Sequence, residues 1–151
     1  MKKIFAVASI MLLFASCNVA QAVEHSTQED FNVIWRASVT AINETADYVN
    51  LINNVDYDVA VVRLQDCERH EKILEFYWQT PYYKGVEVKE CALLATIIMQ
   101  ERGATLDYFI SAVNAYRVNK ASLFEEYMKK MSTCNKQVEQ SRQEFRNKYG
   151  Y

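Results

Sequence analysis

The chain predicts an all-α protein, a small up-and-down bundle of about four helices stapled by a disulfide. Three observations predict it. Past residue 22 there are one proline, Pro81, and three glycines, Gly85, Gly103 and Gly150, too few breakers for many short strands. Apolar residues recur at steps of three and four over long stretches, the period of a helix with one buried face. Three cysteines, Cys67, Cys91 and Cys134, follow an export segment and so meet a compartment in which thiols oxidise.

That export segment begins with Lys2 and Lys3, continues through the uncharged apolar run 4–14 and ends in Ala20-Gln21-Ala22. Small residues there suit a signal peptidase, and the run falls short of the roughly 20 residues a membrane span needs. The expected organisation is a signal peptide, 1–22, and one helical domain, 23–151, in the periplasm or secreted. A second reading uses Phe14-Ala15-Ser16-Cys17, which resembles the lipobox of bacterial lipoproteins but has Phe14 where that box favours leucine. Lipidation at Cys17 would then anchor the protein to a membrane.

Removing 1–22 takes away Lys2 and Lys3 and no acid, moving the formal net charge from −2 to −4. The remaining 129 residues suit one domain that buries about two-thirds of its unfolded surface. A mildly acidic chain lacks the basic patch that nucleic acid or an anionic membrane surface would select. No second long apolar run offers a transmembrane segment.

The first helix opens at Ser26-Thr27-Gln28-Glu29, a capping box in which side chains satisfy unpaired amides. Its stripe is Phe31, Trp35, Val39, Ile42, Ala46, Val49 and Ile52, and Asn53 and Asn54 end it. The second spans 55–79, with Ala60, Leu64, Cys67, Leu74 and Trp78 on one face. Thr80-Pro81 offers a cap followed by proline at the first helical position, so the third helix begins at Pro81 or, past Gly85, at Val86. Its stripe is Val88, Cys91, Leu94 and Ile98, and Gly103 stands where a terminating glycine would. Thr105 and Asp107 start the last helix, in phase through Leu106, Phe109, Ile110, Val113, Phe124, Met128, Met131 and Val138. Asn119 offers another break, because Ser122-Leu123-Phe124-Glu125 is a further capping box. The final twenty residues are mostly polar and read as a helix end that protrudes or packs on one side.

Antiparallel neighbours stand at equal height when their numbers sum to twice the turn position. For Cys67 and Cys91 that turn is residue 79, beside Thr80-Pro81, and both cysteines lie on apolar stripes. A Cys67–Cys91 disulfide is therefore expected, contributing about 3 kcal/mol. Cys134, in phase with Met131 and Val138, is left as a buried thiol or as a bond to a second copy or a partner.

Catalytic patterns are sparse. Cys67 and His70, one helical turn apart, are the available nucleophile–base pair, and they supply only half of a zinc site. No haem-attachment, di-iron, serine-elbow or phosphate-loop pattern occurs. The carboxylate pairs Asp56/Asp58 and Glu87/Glu90 sit at helix starts, where they complement the helix dipole. No metal and no cofactor is expected.

Around the lone proline, "EFYWQTPYYKG" holds Phe76, Tyr77, Trp78, Tyr82 and Tyr83. Trp78 belongs to the core stripe. Tyr82 and Tyr83 follow the turn, where a bundle end has little to cover them, and tyrosine suits recognition. Tyr149 and Tyr151 add a second candidate patch at the end of the chain, while Tyr116 and Tyr127 fall at core-facing positions. The function expected is that of a non-enzymatic interaction module in the cell envelope, of the inhibitor, immunity, chaperone or assembly-accessory kind, with another envelope protein as partner and with Phe76, Tyr82, Tyr83, Tyr149 and Tyr151 as contact candidates. The alternatives are a small envelope enzyme using Cys67/His70 or a carboxylate pair, and the lipoprotein anchored through Cys17.

Overall fold

The computed structural model describes residues 27–151, which are helices and short connections with no strand among them. The expected signal peptide with Cys17, and Ser26 of the expected capping box, lie outside the described residues. The helices are α1 Thr27–Glu44, α2 Tyr48–Asn53, α3 Tyr57–Gln79, α4 Val86–Arg117 and α5 Ala121–Tyr149. The four long ones form an all-α bundle with α4 at its centre, packed along α3 and α5 and against α1. No helix among the described residues is long and apolar enough to cross a membrane.

The centre falls to α4 because it is apolar on more than one side. Ala92, Ala95, Ala112 and Ala115 let neighbours come close, while Ile98 and Leu106 fill the gaps between them. Each fully buried side chain of the latter size contributes about 1.5–3 kcal/mol. Two apolar clusters result, one around Ile34, Leu74, Val88, Ile98 and Phe145, the other around Tyr48, Ala60, Cys67, Phe109 and Val138. In α3 the expected stripe is the one that packs: Ala60, Cys67 and Leu74 are buried, Leu64 and Trp78 partly so.

Five expectations are corrected by the packing. The first helix does not run unbroken to Asn53, because the chain turns at 45–47. The Ile42 carbonyl, which Ala46 would cap in a continuing helix, instead accepts from Arg102 Nη1 at 2.5 Å, and Ala46 N–H turns to Asn43 at 3.1 Å. The innermost line of α1 is also Ile34, Ser38, Ala41 and Thr45, which leaves Phe31, Trp35 and Val39 on its flank. Small polar side chains at its centre hid that line from a reading by hydrophobicity.

Gly103 does not end a helix; α4 passes through it. It faces α3, where an added Cβ would lie 3.6 Å from Leu64 Cδ1 and 3.8 Å from Cys67 Cβ. The break falls instead at Asn119, whose φ of 56° is left-handed. Asn119 N–H bonds Tyr116 O and Lys120 N–H bonds Ala115 O, the paired bonds of a Schellman stop. Tyr116, one residue before α4 ends, is thereby 71 % exposed and not a core residue.

The Cys67–Cys91 staple is absent, and both are free, buried thiols. The connection 80–85 is extended at Thr80, as a residue before proline tends to be, and α4 starts only at Val86. The hairpin's midpoint therefore lies several residues beyond 79, and Cys67 stands level with Gly103. Cys91 lies twelve residues earlier, about 18 Å along the helix at 1.5 Å per residue. A disulfide needs Cα atoms within roughly 7 Å.

Candidate functional site

The end of the bundle that carries the connection 80–85 gathers aromatic rings from four elements. Phe76 meets Tyr77 edge-on at 6.0 Å, Tyr77 meets Tyr83 at 5.5 Å, and Tyr83 meets Tyr82 at 5.0 Å. Edge-to-face contacts of this kind add about 0.5–1.5 kcal/mol each beyond the burial they bring. The ladder is seated at its base, because Tyr77, Trp78 and Tyr83 pack on the core cluster. At its tip it is open: Tyr82 is half exposed, and its N–H reaches Thr80 Oγ1 at 3.4 Å. Burial, and after it the neighbouring Tyr77, Asp30 and Tyr82, hold the Tyr83 phenol above its ordinary value. Asp30 lies in the first turn of α1.

The second tyrosine pair packs on the same core cluster as Tyr83. Gly150, at φ 69°, ends α5 in the left-handed conformation that glycine adopts freely and turns Tyr151 back. Phe145 contacts Tyr149 at 5.1 Å and Tyr151 at 6.2 Å, and Phe31 contacts Tyr149 at 6.1 Å. Trp35 Nε1 donates to the Tyr149 carbonyl at 3.2 Å, Arg146 Nε donates to the Tyr151 carbonyl at 3.1 Å, and the Tyr151 hydroxyl bonds Asn43. Tyr149 and Tyr151 thus clamp α5 to α1. Tyr82 is 50 % and Phe76 62 % exposed. At the start of α4 a groove of about 370 Å³ is lined by Gln28, Phe31, the highly exposed Val86 and Glu87.

In the interior, Cys67 and His70 go separate ways. His70 Nε2 lies 2.8 Å from Glu44 Oε2. Burial pushes the Cys67 thiol up to about 12, so it stays protonated near neutrality and is a poor nucleophile. The residue that sequence reasoning missed is Arg102. It is wholly buried, its Nη1 held by Ile42 O and Thr45 Oγ1 at 2.5 Å each. Its Nε and Nη2 have no hydrogen-bond partner among the described residues, and the Tyr48 ring lies 5.3 Å from its carbon centre. Burial first, and then the Arg142 charge, lower the guanidinium from its ordinary value. Its place one turn from Ile98 and Leu106, inside an apolar phase, was the available signal.

The remaining candidates hold ordinary stations. Asp56 caps α3 by accepting from Val59 N–H at 3.4 Å, Asp58 lies in that helix's first turn, Glu87 begins α4, and Glu90 pairs with Lys148 at 2.8 Å. Cys134 is a half-buried free thiol beside Tyr108, Lys129 and Lys130. Among the described residues no group of three or more His, Cys, Asp and Glu side chains could hold a metal. Compared with known proteins, the chain matches no family model, no curated protein and no solved structure.

Proposed function

We propose that the protein is an exported, non-enzymatic interaction module of the cell envelope, working in the manner of an inhibitor, immunity, chaperone or assembly-accessory protein. The observation that carries this reading is the aromatic ladder: rings fixed at their base by the core and half exposed at Tyr82. A rigid aromatic of that kind loses little conformational freedom on binding, which is why tyrosine concentrates at contact hot spots. The groove at the start of α4, lined by Val86, would receive an apolar side chain of the partner. The sequence features of a signal peptide and the mild negative charge support an envelope partner with a basic contact surface.

The test is cross-linking in the intact envelope, comparing the natural chain with a Tyr82→Ser/Val86→Ser variant. Both side chains are exposed, so the variant keeps its fold, which circular dichroism checks. One stoichiometric partner lost in the variant is the expected result. A partner retained at full yield would move the contact away from this end.

A further inference from the structure

Helix α3 carries a second apolar line, on the side turned away from the core. Val59, Val62, Ile73 and Phe76 are 40, 56, 44 and 62 % exposed. With Asp66 and Arg69 between them they follow one another at alternating steps of three and four, the a/d spacing of a coiled-coil seam. A helix that only needed to face water would carry charge at these positions. Read from either end the line also runs apolar, apolar, charged, charged, apolar, apolar, with the two central charges exchanged in sign. Val59 and Phe76, Val62 and Ile73, and Asp66 and Arg69 are each equidistant from the point midway between Cys67 and Glu68.

We propose that this face is a self-association surface, on which a second copy of the chain packs its own α3 antiparallel across a two-fold axis at that midpoint. Two-fold interfaces use one patch twice, so the patch must complement itself when reversed. Here reversal sets Val59 against the partner's Phe76, Val62 against the partner's Ile73, and Asp66 against the partner's Arg69. The charges choose the direction. A parallel pairing in register would stack Asp66 on the partner's Asp66 and Arg69 on the partner's Arg69, and like charges in contact are penalised. Antiparallel, the two aspartates and two arginines form one alternating cluster at the axis. Arg69 is already poised there, 60 % exposed, with Nη2 3.1 Å from its own Asp66 and 3.9 Å from Glu44. Asp66 is also held by Arg63 at 2.8 Å. The seam runs seventeen residue steps, about 26 Å at 1.5 Å each. A different protein's helix would gain nothing from a palindromic order, whereas a second copy requires it.

The experiment is sedimentation equilibrium on the protein purified in its native form, across a wide concentration range and with reductant present so that Cys134 cannot contribute. Three variants accompany it: Asp66→Arg, Arg69→Asp, and the two combined. The natural chain is expected to dimerise with concentration. Each single reversal is expected to weaken association at least about tenfold by setting like charges at the axis, and the combined exchange to restore it. Circular dichroism of each variant separates misfolding from lost association, and Val62→Glu, with no ionic partner to disturb, gives a second disruption. A chain that stays monomeric at the highest concentration it reaches overturns the proposal. So does a dimer indifferent to all the variants, which would place the interface elsewhere, or single reversals not rescued by the exchange.

Discussion

Arg102 is at once the most buried charge in the protein and the least compensated. Moving a guanidinium out of water costs several kcal/mol that only complete pairing repays, and here one nitrogen of three is bonded. What it does accomplish is local: by taking the Ile42 carbonyl and Thr45 Oγ1, it stops α1 and lets the chain turn into α2. Replacing it with a methionine, Arg102→Met, fills similar volume and returns Ile42 O to the helix ladder. The expected outcome is a gain of about 1–2 kcal/mol in urea unfolding with a small rise in helical signal. A loss of comparable size would mean that the two bonds and the Tyr48 ring outweigh the desolvation. The same scale separates the aromatic candidates: Tyr82 and Tyr151 look alike in sequence, yet Tyr82 is half exposed and Tyr151 packs on the core with its hydroxyl bonded to Asn43.

Among the elements, the stops are more informative than the helices. Two helices end in Schellman geometry, α4 at Asn119 and α2 at Val55, where Val55 N–H bonds Ile52 O and Asp56 N–H bonds Leu51 O. Asparagine tolerates the left-handed conformation, but a β-branched residue at φ 54° sets its Cβ against the backbone. Val55 is 62 % exposed, so it recovers nothing by packing. Val55→Gly is therefore expected to raise stability by about 1 kcal/mol, seen as a higher urea midpoint with an unchanged slope. No change would show that the turn relaxes without that strain. The Asn119 stop was legible as the alternative to Gly103, although the capping box at Ser122 that suggested it does not form, since Lys120 stands at the N-cap of α5 without a side-chain bond. The Val55 stop was not, because no local preference marks valine for that role.

For the whole molecule, the buried titratable groups set its response to alkali. Burial pushes Cys67 up to about 12 and Cys91 to about 11 from ordinary values of 9.0, and Tyr48 to about 12 from 10.0. An acid whose folded value is raised keeps its proton in the native state while the unfolded chain gives it up. Its contribution is fully present below the unfolded value and is lost as pH climbs to the folded one. Stability should therefore be flat with respect to these groups below about pH 9 and fall steadily between 9 and 12, each group contributing on the order of a few kcal/mol. Urea midpoints taken across that window check this. A midpoint unchanged up to pH 11 would mean that Cys67 and Cys91 are not buried protonated thiols, as they would not be if joined in a disulfide.

Period and composition determined that the chain is helical, where α3 lies, which of its faces is buried, and that rings gather around Pro81. These follow from local spacing, because a 3.6-residue repeat assigns every side chain of a helix to a face before any partner is known. Only the tertiary structure decided the heights at which helices meet, since that depends on how much chain the connection 80–85 consumes. A difference of a few residues there was enough to part Cys67 from Cys91. Tertiary structure also decided that Arg102 lies inside and breaks α1, because the hydrogen bonds that hold it come from residues about sixty positions away. It likewise left Tyr149 and Tyr151 clamped while Tyr82 stayed open, because exposure at a helix end depends on which other element arrives to cover it.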